Sequence, residues 1–201
     1  MNISDFFGLI AGIVAVIAYG LYFRQAVKGS STPNPSTWAI WVLIGIINSF
    51  TYFSLVANDW RQGLVVLTAA TFSLITFIYS LFRGRFSRIS KIEIITFILA
   101  VLIGIFWRFT ANDRMANLFL QAIYVISYIP TISGLARGRA KEGYVAWVVA
   151  CVAYLLSAIT VATNPRADWI ALVFPLVNGL LGNGTIAVLT IYKQRVQNNT
   201  L

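Results

Sequence analysis

Histidine is absent from this 201-residue chain, cysteine occurs once, and only six residues are acidic. Without histidine the usual zinc sites and histidine-based acid–base catalysis are excluded. The lone Cys151 lies in an apolar run, so neither a disulfide framework nor a thiolate metal cluster can form within the chain. Asp5, Asp59, Glu93, Asp113, Glu142 and Asp168 all fall at the ends of apolar runs or between them. No carboxylate is therefore expected deep in a span, where a proton relay would need one. An intramembrane hydrolase would need an acid–base pair or an activated nucleophile, and none is legible. The last apolar run carries its only lysine, Lys193, at its end, which excludes a retinal Schiff base within it. No enzymatic activity, metal or cofactor is expected.

What the chain has is apolar surface. Hydrophobic residues make up 59%, charged ones 10%, and the mean hydropathy is +0.80. Soluble domains average about 45–50% and about 25%, so the composition is that of an integral membrane protein. A bilayer core about 30 Å thick takes roughly 20 helical residues to cross. Seven runs qualify, near 6–23, 37–57, 64–82, 94–110, 115–136, 144–162 and 169–192, the fourth being the shortest. The all-α class follows. The net charge of +9 does not point to nucleic acid, because Lys and Arg cluster at run ends. Eleven of the fifteen fall on one side and four on the other. The positive-inside rule then places the N-terminus outside and the C-terminus in the cytoplasm; the plasma (cell inner) membrane is the expected location. The first run is preceded by Asp5 and no basic residue, so it does not read as a cleaved signal peptide. The six tryptophans sit near run ends, Trp38, Trp41 and Trp147 on one side and Trp60, Trp107 and Trp169 on the other. That is the distribution of an interfacial aromatic belt.

The chain also repeats itself. Slid by 106 residues, Tyr22 falls on Tyr128, Trp41 on Trp147 and Asn58 on Asn164. Asp59-Trp60 recurs as Asp168-Trp169 at an offset of 109. Two three-helix repeats, residues 1–91 and 113–201, joined by a linker helix at 92–112, would account for this. Three is odd, so one linking helix lets the second copy enter in the orientation of the first. Parallel repeats of this kind place a solute site between the halves near the midplane.

The deep polar groups are neutral. Asn48 lies near the middle of the second run and Asn178 in the seventh, followed by Asn183; Thr68, Thr71, Ser73 and Thr76 line the third. Tyr52 shares a helical face with Asn48. An amide offers donors and an acceptor, and an aromatic face suits a sugar ring. The alternative is that these groups only join helices. Pro130 and Pro175 interrupt runs five and seven, with Gly179, Gly182 and Gly184 after the latter. Proline removes a helical hydrogen bond and kinks the helix, so both are candidate hinges.

On these features the chain resembles the SWEET and SemiSWEET sugar transporters of the PQ-loop superfamily, which share three-helix repeats and, with two repeats, seven helices. The family's Pro-Gln pair falls on Arg24-Gln25 and on Pro130-Thr131, each copy keeping one member. The resemblance implies a gate or hinge at Gln25, Pro130 and Thr131, with Pro175 added from the kink. It implies a substrate site of Tyr52, where the family usually has Trp, Thr68 and Asn178, to which the residue reading adds Asn48. The expected function is facilitated diffusion of a small uncharged polar solute, first of all a sugar, by alternating access. An exporter of an amino acid or vitamin, or a non-transporting receptor or assembly factor whose basic segment 83–91 binds a partner, would share the fold. The expected partners are the solute and the bilayer; homo-oligomerisation stays open, and nucleic acid is excluded.

Overall fold

Seven helices long and apolar enough to cross a membrane make up the computed structural model, which describes residues 2–83 and 89–198. They are α1 (Ile3–Val27), α2 (Pro35–Leu55), α3 (Trp60–Arg83), α4 (Lys91–Thr110), α5 (Asp113–Ala136), α6 (Tyr144–Ala162) and a composite seventh span. That span runs through a 3-10 turn (Trp169–Leu172) and a π-helical stretch (Pro175–Asn183) into α7 (Gly184–Asn198). The protein is an all-α integral membrane protein, and no strand occurs among the described residues. Arg85 and Arg88 of the basic segment lie outside the described residues.

Local chemistry sets the helix starts. Asn2 Oδ1 accepts from Asp5 N at 2.7 Å, Asn34 Oδ1 from Ser36 N at 3.3 Å with Pro35 behind it, and Asn112 Oδ1 from Met115 N at 3.1 Å. Each satisfies an amide that the first turn leaves orphaned. α4 opens on a capping box, Glu93 N donating to Ser90 Oγ at 3.2 Å and Ser90 N to Glu93 Oε2 at 2.8 Å. The other oxygen of Glu93 accepts from Asn34 Nδ2 at 3.0 Å, and from Ser36, fastening the start of α4 to the start of α2. At the far end of α5, Lys193 donates to the carbonyls of Leu135 and Ala136, in the last turn, where helical acceptors run out of i+4 donors. The fourth span is not the shortest, since α4 has 20 residues and α6 has 19.

α3 packs against both α1 and α2, whose backbones do not approach each other directly among the described residues. The π-stretch with α7 packs in the same way against α5 and α6. Across the middle, α1 meets α6 and α2 meets α5, while α4 lies outside on α2 and α5. Ala11, Ala15 and Ala18 of α1 and Ala146, Ala150 and Ala153 of α6, the two helices of the first of these seams, are all buried. Small side chains let helices in a bilayer approach closely. Outward, α4 exposes Ile94, Ile95, Ile98, Leu102, Ile105 and Phe109, a surface suited to lipid and not to water.

Candidate functional site

Near the end of the bundle where α1 stops and α2 starts, five aromatic rings meet at the centre. Tyr22 lies 5.0 Å from Trp38 and 5.4 Å from Trp147, Trp38 lies 4.8 Å from Trp41, and Trp41 lies 5.3 Å from Tyr128. These spacings and tilts are those of favourable aromatic pairs. Trp38, Trp41 and Trp147 are therefore core residues, 3, 8 and 6% exposed, and not part of a lipid-facing belt. The physical reason is that their N–H groups can be satisfied inside: Trp41 Nε1 donates to Ser127 Oγ at 2.8 Å and Trp147 Nε1 to Glu142 Oε2 at 3.3 Å. Trp60 and Trp169, at 53 and 65% exposure, do keep the belt position.

Above this layer lies a cavity of about 30 Å³, bounded by Tyr19, Tyr124, Tyr128, Ser73, Asn178 and Asn183 among others. At about 10–15 Å³ for each water, it has room for about two. Asn178 organises it. Tyr128 Oη donates to Asn178 Oδ1, Asn178 Nδ2 donates to Tyr154 Oη at 2.9 Å, and the Tyr154 and Tyr19 hydroxyls lie 3.4 Å apart. Asn183 Nδ2 donates to the Asn178 carbonyl at 2.6 Å. The wider π-helical winding puts residues five apart in register, which matches this bond, and π-segments recur at functional sites. Gly179 and Gly182 make the approach possible. A Cβ at Gly179 would stand 2.1 Å from Tyr154 Cβ, and one at Gly182 2.2 Å from Tyr128 Cε2.

Below the aromatic layer a vestibule of about 430 Å³ is lined by Pro130, Thr131, Arg137, Arg139, Glu93 and Glu142 as well as by Tyr22, Trp38, Trp41 and Trp147. Those four rings thus separate the two spaces. Here the two basic connectors join. Thr32 N donates to Lys141 O at 2.9 Å, Lys141 N to Thr32 Oγ1 at 3.1 Å, and Gly143 N to Ser31 Oγ at 3.0 Å. Glu142 sits in the joint, 6% exposed, with Tyr22 Oη donating to its Oε1 at 3.4 Å. Burial pushes its carboxyl up to about 7, against the opposing pull of hydrogen bonds from Ser31, Trp147 and Tyr22. Carboxylates are nonetheless buried at the span ends: Glu142, Glu93 at 3% and Asp5 at 9% exposure. All three lie at helix ends or in connectors, as their sequence positions require.

The opposite end is shut by different contacts. Phe174, fully buried, packs 5.3 Å from Tyr52, 5.4 Å from Tyr154 and 6.1 Å from Tyr124. Beside it Asn117 Nδ2 donates to Asn48 Oδ1 at 2.9 Å and Gln121 Nε2 to the same oxygen at 3.1 Å. Farther out Asn164 Nδ2 donates to Gln62 Oε1 at 2.9 Å, and Arg114 pairs with Asp168 at 2.9 Å. Asp59 and Asp168 each cap the turn that follows, accepting from Arg61 N and Ile170 N, both at 3.0 Å.

Of the four residues read as substrate-binding, only Asn178 lines the central cavity. Tyr52 is turned against Phe174, Asn48 is held in the α2–α5 seam, and Thr68 is half-buried next to Ala69, which with Ser73 takes the α3 part of the lining. Pro130 and Thr131 line the vestibule. Gln25 stands at the connector joint, its side chain against Gly143, where an added Cβ would fall 2.7 Å from its Cδ. Pro175 opens the π-stretch. Tyr19, Tyr124, Asn117, Gln121 and Glu142 carry site chemistry that the sequence reading passed over. Asn117 and Gln121 had a legible signal: two amides one turn apart in an apolar run share a helical face. No protein-family model, curated protein or solved structure matches the chain.

Proposed function

We propose that the protein is a membrane facilitator that passes a small uncharged polar solute, with a sugar as the first candidate, by alternating access between residues 1–91 and 113–201. One observation carries this reading: an aromatic and amide-lined cavity lies between helices of both segments, and one layer of rings divides it from a larger vestibule. Aromatic faces with a few placed hydrogen-bonding groups suit hydroxylated rings, and no Lys, Arg, Asp or Glu lines the central space. Helix packing supports the two-repeat plan. Exchanging α1 with α5, α2 with α6 and α3 with the seventh span turns the α1–α6 seam into the α5–α2 seam. The basic end, with Glu142 and the connector joint, is the proposed cytoplasmic gate in the cell inner membrane; the Phe174 cluster is the outer one. At about 30 Å³ the cavity is collapsed around no more than about two waters, so the solute is accommodated as one gate opens.

The test is counterflow of radiolabelled sugars, amino acids and vitamins in proteoliposomes. Saturable exchange of a neutral solute is expected, requiring neither a proton nor a sodium gradient. Exchange should be lost in Asn178→Ala and weakened in Ser73→Ala. No exchange of any member of the panel by folded protein would overturn the transport reading.

A further inference from the structure

The two seams across the middle of the bundle are built from different chemistry at corresponding places. An offset of 106 sets Asn117 on Ala11 and Gln121 on Ala15, and all four side chains are 2% exposed or less. On α1 alanine suffices at these positions, so close packing by itself does not call for amides on α5. Burying an amide in a membrane interior is costly unless its polar groups are used. Helix joining is one use, and a network built only for that would spend all its atoms. This one does not. Asn48 Oδ1 accepts from both Asn117 Nδ2 and Gln121 Nε2, and Asn117 Nδ2 also reaches Thr51 Oγ1 at 3.1 Å. Asn48 Nδ2 and Gln121 Oε1 are buried with no partner among the described residues. Turning the Asn48 amide over does not repair this, since its NH₂ would then face two donors.

One unspent donor and one unspent acceptor, on neighbouring side chains, describe the complement of a hydroxyl group, which accepts from one and donates to the other. Gln121 lies three residues from Tyr124, which lines the central cavity, or about 4.5 Å along α5 at 1.5 Å per residue. It lies on the side away from the basic connectors. We propose that Asn48, Asn117 and Gln121 form a second polar station, separate from the central cavity, that binds one hydroxyl group through Asn48 Nδ2 and Gln121 Oε1. The hydroxyl belongs either to a resident water or to a solute on its way to the outer end, and only the second source rests on the transport reading above.

The deciding experiment is a structure at a resolution that shows waters, determined without and with 1 M glycerol as the probe. An oxygen within about 3 Å of both atoms is expected. If it is water in both conditions, the station holds a resident water; if a glycerol hydroxyl replaces it, the station takes solute. A seam with no such oxygen, or one in which the two atoms have found protein partners, overturns the proposal. Gln121→Met, which keeps the volume and removes the acceptor, should abolish the density. With a solute source it should also weaken D-glucose binding about tenfold, the scale of one hydrogen bond, whereas a resident water predicts unchanged binding. Failure of the transport reading shows separately, as absence of exchange by the wild-type protein whatever the seam contains.

Discussion

Tyr22 packs its ring 5.4 Å from Trp147, and Trp41 packs 5.3 Å from Tyr128. These are the same contact made twice, because the 106-residue offset that takes Tyr22 to Tyr128 also takes Trp41 to Trp147. Each ring pair joins a helix of the first segment to a helix of the second. Only the Tyr22 pair carries a carboxylate, Glu142, which receives hydrogen bonds from both of its rings. That asymmetry gives the joint a pH dependence.

Glu142 titrates near 7 when buried and near its ordinary 4.5 when exposed. The folded, closed form therefore holds the proton more tightly, and its contribution is fully present below pH 4.5 and lost as pH rises through 7. By linkage the difference reaches roughly 3 kcal/mol. Thermal melts in detergent should show a higher midpoint at pH 5 than at pH 8. Glu142→Gln should flatten this profile and melt above wild type at pH 8. A wild-type profile that rises toward alkaline pH would contradict the burial argument.

Gly179→Ala and Gly182→Ala should each destabilise by about 1–3 kcal/mol or more, the range for overpacking. The added methyl meets Tyr154 Cβ in one case and the Tyr128 ring in the other, both within 2.3 Å. Gly20→Ala is the control. Nothing lies within 4 Å of its Cβ position, and the helix-propensity gain is up to about 1 kcal/mol. Melting midpoints of the three variants should separate in that order of sign.

Asn178→Ala leaves the Tyr154 hydroxyl without its amide donor and removes the side-chain acceptor of Tyr128. A loss of about 1–3 kcal/mol is expected, as for buried groups left unsatisfied. Ser73→Ala provides the separation of function from folding. Its hydroxyl lines the cavity and makes no hydrogen bond among the described residues. The variant should melt within about 0.5 kcal/mol of wild type and show a raised KM for exchange. Equal melting loss in both would remove Ser73 as a solute contact.

The connector joint can be tested by reversible cross-linking. In a Cys151→Ala background, Thr32→Cys and Lys141→Cys place two thiols on residues already joined by a backbone hydrogen bond, Thr32 N donating to Lys141 O. A bifunctional methanethiosulfonate should link them readily, abolish exchange, and release it on reduction. Exchange that continues through the linked protein would mean the joint does not open during transport.

The sequence by itself determined that this is a seven-helix membrane protein, because twenty-residue apolar runs admit no other solution in a bilayer. It also set where α1, α2, α4 and α5 begin, since their Asn and Ser caps act within a few residues of themselves. The offset between Tyr22 and Tyr128 was legible for the same reason: it is a property of one dimension. What only the tertiary structure decided is which polar and aromatic side chains face one another. Trp38, Trp41 and Trp147 lie at run ends in either case, and nothing local distinguishes an indole facing lipid from one whose N–H is met by Ser127 or Glu142. Glu142 is a connector residue by position and a buried one only because the other connector folds over it. Asn48 and Asn178 looked alike along the chain. Packing sent Asn178 to the central cavity and Asn48 to the α2–α5 seam, because α5 brought two amides to meet one of them and α6 brought a phenol to meet the other.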